Sequence, residues 1–345
     1  MPHDLQPFLD AVEAIVASHR IAPGFYRRWN WQRVAGGPAR GGKAPPPRDL
    51  GPNEYGCADA ANLLYTLGRF PTAPTERQRW IAALQGMQKE DSGHFVEATH
   101  HPVHTTAHCV AALELFDARP LAPIHAEQPL TDPAALEVFL SGLDWRAQPW
   151  NESHRGAGLY AALVLTRAVD RAWEDRYFAW LWEHADPATG LWRKGCIAPV
   201  DVAGVASRFP HLAGSFHYLF NHEYARRPLR YPAALVDCCL TLRARDPFPF
   251  CRSVGFAEID WVYCLTRALR QSGHRFAEGQ TALRAFAAEY VAFLNGLNPA
   301  THDGLNDLHC LFGAICCLAE LQTALPGELP SDRPLKLVLD RRPFI

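Results

Sequence analysis

The stretch His104–Phe116, HTTAHCVAALELF, holds a single charge, Glu114, and opens on two histidines four residues apart. Its apolar residues run round every face, the pattern of a helix buried on all sides. The segment before it, 75–89 (TERQRWIAALQGMQK), reads differently. Trp80, Leu84 and Met87 form one stripe, with Glu76, Arg77, Arg79 and Lys89 off it. That is the periodicity of a surface helix with one buried face. An amphipathic helix followed by a nearly charge-free one makes a unit, and the unit recurs.

The spacing predicts amphipathic helices over 5–19, 75–89, 132–143, 173–185, 231–244 and 276–295. Apolar helices are expected to begin near Cys57, His104, His154, His211, Gly255 and Leu305. A hairpin of this kind cannot bury its apolar member alone, so successive units must stack. The expected fold is all-α: an (α/α)6 toroid with six outer and six inner helices in one domain over 1–345. An open superhelix is the alternative, but its concave helices would be more polar. Long loops are expected over 35–53 and 195–210, and a C-terminal tail over 326–345.

Composition narrows the function. The chain has 345 residues, 48% of them hydrophobic, and a net charge of -2, so no basic surface for nucleic acid is expected. No apolar run approaches the roughly 18 residues of a membrane span. The N-terminal MPHDLQPFLDAVEAIV has no basic region before an apolar one, so no secretory signal is expected. Ten cysteines without a C-x-x-C pair read as buried free thiols in a reducing compartment. The expectation is a cytoplasmic protein with a small-molecule substrate.

The joints carry a motif. Gln85 and Gln88 precede Asp91-Ser-Gly93-His-Phe95, Gly190 precedes Leu191-Trp192, and Asp303-Gly304 precedes Leu305. This resembles the Q-x-x-D-G-x-F/W repeat of the prenyltransferase and squalene/terpene cyclase superfamily. The resemblance is best over about 80–116, with echoes near 177–192 and 290–321. It implies an α/α toroid. It also likens Asp260 and His309 to the Asp and His zinc ligands of protein prenyltransferases, so zinc is a candidate cofactor. Val262 stands where those enzymes have Cys, and Glu258-Ile-Asp260-Trp261 lacks the tandem aspartates of the cyclase D-x-D-D motif.

The inner-helix starts supply the candidate chemistry. His104, His108, His154, His217, Asp260 and His309 are read as acid–base or metal-binding residues. His104 and His108, at i and i+4, share a face. Asp59, Asn62, Arg155, Asn221, Glu258, Trp150, Trp192, Trp261 and Asn306 are read as substrate-binding, with Arg155 as an anion clamp. Ser153 is a candidate N-cap, as is Asn306 or Asp307. His222 is expected at the surface. Gly156 and Gly158 would admit a ligand or a backbone. Of Glu258 and Asp260, Asp260 is the one expected to face inward.

These residues suit an enzyme using acid–base chemistry, with or without a metal, on a carbohydrate-like substrate: a hydrolase, lyase or epimerase. Hydrolysis would need two carboxylates from Asp59, Glu258, Asp260 and Asp307. The alternatives are an isoprenoid enzyme of the cyclase or prenyltransferase type, and a non-catalytic toroid that binds a partner.

Overall fold

The computed structural model describes residues 4–33, 47–197, 207–245, 248 and 250–344. The expected loops over 35–53 and 195–210 lie partly outside the described residues, at 34–46 and 198–206. Within the described residues the chain is mostly helical, and its one strand pair is the hairpin β1 (Arg20–Ala22) and β2 (Phe25–Tyr26).

Half-buried and fully buried helices alternate in chain order. They are α1 (Gln6–His19) and α2 (Glu54–Thr66), α3 (Pro74–Gln85) and α4 (Pro102–Leu115), and α5 (Pro133–Gly142) and α6 (Pro149–Leu165). Then come α7 (Arg171–His184) and α8 (Phe209–Tyr224), α9 (Pro232–Arg245) and α10 (Ala257–Ser272), and α11 (Phe276–Asn295) and α12 (Leu308–Ala324). A short α13 (Val338–Arg341) follows. Proline opens several of them at the first turn, where its missing N–H costs nothing.

The even-numbered helices up to α12 pack in a cycle. Each of α2, α4, α6, α8 and α10 lies against the next, α10 lies against α12, and α12 returns to α2. Glycines set the spacing within this layer. A Cβ on Gly214 of α8 would stand 2.7 Å from the Pro149 carbonyl of α6, and one on Gly313 of α12 would stand 2.6 Å from the Gly255 carbonyl. Gly156 meets the Tyr218 side chain and Gly158 meets Val103 and Phe344, so both glycines serve packing between elements.

Two joints share one geometry. Gly93 N–H donates to Lys89 O and Lys89 N–H to His94 O; Gly190 N–H donates to Asp186 O and Asp186 N–H to Leu191 O; all four are 2.8 Å. Both glycines are left-handed, with φ of 75° and 72°. Two residues on, Phe95 N–H donates to Thr106 Oγ1 and Trp192 N–H to Ser215 Oγ, fastening each joint to the buried helix that follows. Gln88 ties its joint to the backbone at Gly93 and Ala122. The motif residues therefore build hairpin joints.

The ends of the chain are drawn onto the same layer. Arg28 donates Nε and Nη2 to the two oxygens of Asp307, at 2.8 and 3.0 Å, and Trp29 bridges to Asp307. Asp307 also caps α12 by accepting from His309 N–H. Asn306 Oδ1 accepts from the Asn30 and Trp31 amides, so Asn306 pins the N-terminal segment to α12. Residues 335–344 close on another face: Lys336 N–H donates to Thr66 O, Asn221 Nδ2 donates to Pro343 O, and Arg342 and Phe344 are fully buried. Buried Arg267 of α10 binds Glu320 of α12 and Asp340 of α13.

None of the ten cysteines forms a disulfide among the described residues, and seven are buried. No helix among the described residues is long and apolar enough to cross a membrane. Because Gly214 faces a backbone carbonyl that cannot swing aside, Gly214→Ala should cost about 1–3 kcal/mol of stability. Equilibrium denaturation of the two proteins measures it.

Candidate functional site

Helix periodicity places Tyr55 and Asp59 one turn apart on α2, and His100, His104 and His108 at successive turns leading into and along α4. The packing of α2 between α4 and α12 brings these stripes face to face with His309. Asp59 Oδ1 accepts from His108 Nε2 at 2.8 Å and from His309 Nδ1 at 3.1 Å. Asp59 is fully buried, and His309 is 5% exposed.

His104 belongs to a second group. Its ring lies 4.3 Å from that of His154, which lies 4.5 Å from that of His217. Tyr55 Oη is 2.5 Å from His104 Nδ1, and Ser153 Oγ is 2.9 Å from His217 Nδ1. Tyr55 joins the groups, since its ring stacks on His100 at 4.6 Å and meets His309 edge-on at the same distance. Phe344 lies 4.9 Å from the His104 ring. Asp59, His108 and His309 form one set of closely spaced ligand atoms, and His104, His154 and His217 form another.

Burial sets the charge state. Burying an imidazole disfavours its cation, which holds His100 and His108 at about 4 and His217 at about 3, from an ordinary 6.5. His104 and His154 lie well below 6.5, by burial first and neighbouring imidazoles second. Burial alone would raise Asp59. The donors His309 and His108 outweigh it and hold the carboxyl below its usual range. Buried Arg342, lowered by burial to about 10, remains a cation near Asp59. Burial keeps the Tyr55 phenol protonated.

The other expected site residues fall elsewhere. His104 and His108 share a helix but enter different groups. Asp260 is buried, and neither of its oxygens has a hydrogen-bond partner among the described residues. Among the described residues, no hydrogen bond or ion pair joins it to His309 or to any other of the clustered imidazoles. Glu258 accepts from Cys251 N–H. Asn62 is buried without a hydrogen bond from its side chain. Asn221 binds Tyr177 Oη and Pro343, one turn beyond His217 but away from it. Arg155 pairs with Glu152 at 3.0 Å. Trp192 and Trp261 donate to the Leu181 and Cys239 carbonyls and pack between helices, while Trp150 lies edge-on to Phe209.

Two expectations are corrected. His222 is buried, because its ring turns between Phe178 and Trp192. Ser153 is not an N-cap: α6 starts four residues earlier at Pro149, which leaves Ser153 inside the helix, donating to Trp150 O. Tyr55 was not among the expected site residues. Its signal was the i, i+4 spacing to Asp59, hidden by starting that helix at Cys57. Arg342 and Phe344 carried no periodic signal.

No family model matches the chain, and no curated protein or solved structure does either.

Unfolded imidazoles take up protons below about 6.5, whereas His100 and His108 in the folded protein resist down to about 4. Stability should therefore be full above pH 6.5 and fall as pH drops towards 4, by up to about 1.4 kcal/mol per pH unit for each such imidazole. Denaturation at a series of pH values measures the slope, and His100→Gln should flatten it.

Proposed function

We propose that the chain closes as an (α/α)6 toroid and is an acid–base enzyme acting on a polar, carbohydrate-like small molecule, of the lyase or epimerase type. The cyclic packing of the six inner helices supports closure. The observation that carries the chemistry is the Asp59–His309 hydrogen bond. An ionised Asp59 accepts the Nδ1 proton of His309, which leaves Nε2 as the bare, basic nitrogen. A proton taken by Nε2 produces an imidazolium that the adjoining carboxylate stabilises. The protonated Tyr55 phenol, edge-on to His309, is the nearby acid.

Proton transfer at carbon or oxygen fits this cluster better than hydrolysis by paired carboxylates. Asp307 spends both oxygens on Arg28, and Glu258 and Asp260 make no hydrogen bond to the imidazoles. Among the described residues, Asp59 alone of the four candidate carboxylates accepts hydrogen bonds from the clustered imidazole rings. Free, mostly buried thiols support a reducing, cytoplasmic setting.

The test is exchange of solvent deuterium into a panel of sugars and uronates, followed by NMR. The intact chain should exchange at a substrate carbon, His309→Ala should abolish it, and Asp59→Asn should lower it about 10²–10⁴-fold. Wild-type exchange by His309→Ala, or turnover of prenyl diphosphates alone, would overturn the reading.

A further inference from the structure

His104, His154 and His217 come from three successive inner helices and offer ring nitrogens that all lie within 4.8 Å of one another. No hydrogen bond joins the three rings among the described residues. Three neutral imidazoles set this close, two buried and one half-buried, are costly unless their ring nitrogens find a partner.

The tautomer of His217 follows from its partner. Ser153 has one hydroxyl proton and donates it to Trp150 O at 2.6 Å. Its oxygen can then only accept from His217, so Nδ1 carries the ring proton and Nε2 carries the lone pair. Tyr55 Oη lies 2.5 Å from His104 Nδ1 and is the outer partner of that ring, without the second acceptor that fixes the tautomer at Ser153. An outer partner on Nδ1 that turns Nε2 inward is how proteins orient metal-binding histidines. The Asp59 group differs, because its two ring nitrogens already donate their protons to one carboxylate oxygen. His154 is the half-buried member of the triad and gives an ion a way in.

We infer that His104, His154 and His217 bind one divalent transition-metal ion, Zn²⁺ by ligand type, beside the Asp59–His309 pair. In tetrahedral zinc sites nitrogen ligands stand about 3.3 Å apart at bonds of about 2.0–2.1 Å, so small side-chain rotations close the present spacing. Three protein ligands leave a fourth position open, which a substrate oxygen can fill. The inference deepens the acid–base reading and rests on it for the location of the substrate. Ser153 is a positioning residue.

The test uses the full chain, stripped with chelator and titrated with Zn²⁺ by calorimetry and with Co²⁺ by visible absorption. One ion should bind per chain, and Co²⁺ should give the bands of a tetrahedral site. His217→Ala and the half-buried His154→Ala should abolish saturable binding, with circular dichroism checking the fold. Ser153→Ala should weaken binding about 10–100-fold, and Asp59→Asn and His309→Ala should leave it unchanged. Absence of saturable binding would overturn the inference. So would binding that survives His154→Ala but is lost in His309→Ala, which would put the ion on the Asp59 group. If Zn²⁺ binds as expected while His309→Ala still exchanges substrate protons, the metal site stands and the acid–base reading falls. The reverse pair of results removes the metal alone.

Discussion

The Asp59–His309 hydrogen bond joins residues 250 positions apart and exists only because α12 lies against α2. Bringing such distant segments together costs chain entropy, though the cost grows slowly with length. Several contacts share it. Arg28 grips Asp307 with both arms at the start of α12, and the Asn306 amide holds the backbone at Asn30 and Trp31. Breaking one partner of a buried pair such as Arg28–Asp307 leaves the other charge stranded, so the seam resists opening. The residues that fasten the helices also aim His309, two positions beyond Asp307.

Charge at the cluster is kept scarce. The imidazoles around Tyr55 are buried or half-buried, and burial drives His100, His104, His108, His154 and His217 towards the neutral form. The carboxylate of Asp59 is tolerated because two ring N–H groups point at one of its oxygens and the Arg342 cation lies near. A neutral imidazole is a base and a ligand; an imidazolium is neither. The same burial that makes these side chains expensive keeps them in their useful state.

Much of the helical pattern was legible in the sequence because it follows from periodicity. Charge-poor runs such as Leu308–Leu318 became buried helices, and Gly93 and Gly190 sit in left-handed turns between helices. Helix starts were less legible. α6 begins at Pro149, not near His154, which moved Ser153 from a cap to a hydrogen bond with His217. The grouping of site residues was not legible at all. Spacing on one helix says that His104 and His108 face one way, but which of them meets Asp59 depends on how three helices are rotated against one another. Asp260 and Glu258 show the same limit, since two acids on one turn gave no sign that neither would hydrogen-bond to an imidazole among the described residues.

The cysteines turn the wall into its own reporter. Cys57, Cys109, Cys264, Cys316 and Cys317 are sealed within α2, α4, α10 and α12, and burial lifts the Cys57 thiol to about 12. A thiol reacts as its anion and only where reagent can reach it, so native labelling must wait for a helix to swing out. The order in which these sulfurs are alkylated would rank these four helices by how often each breathes, with no probe added to the chain.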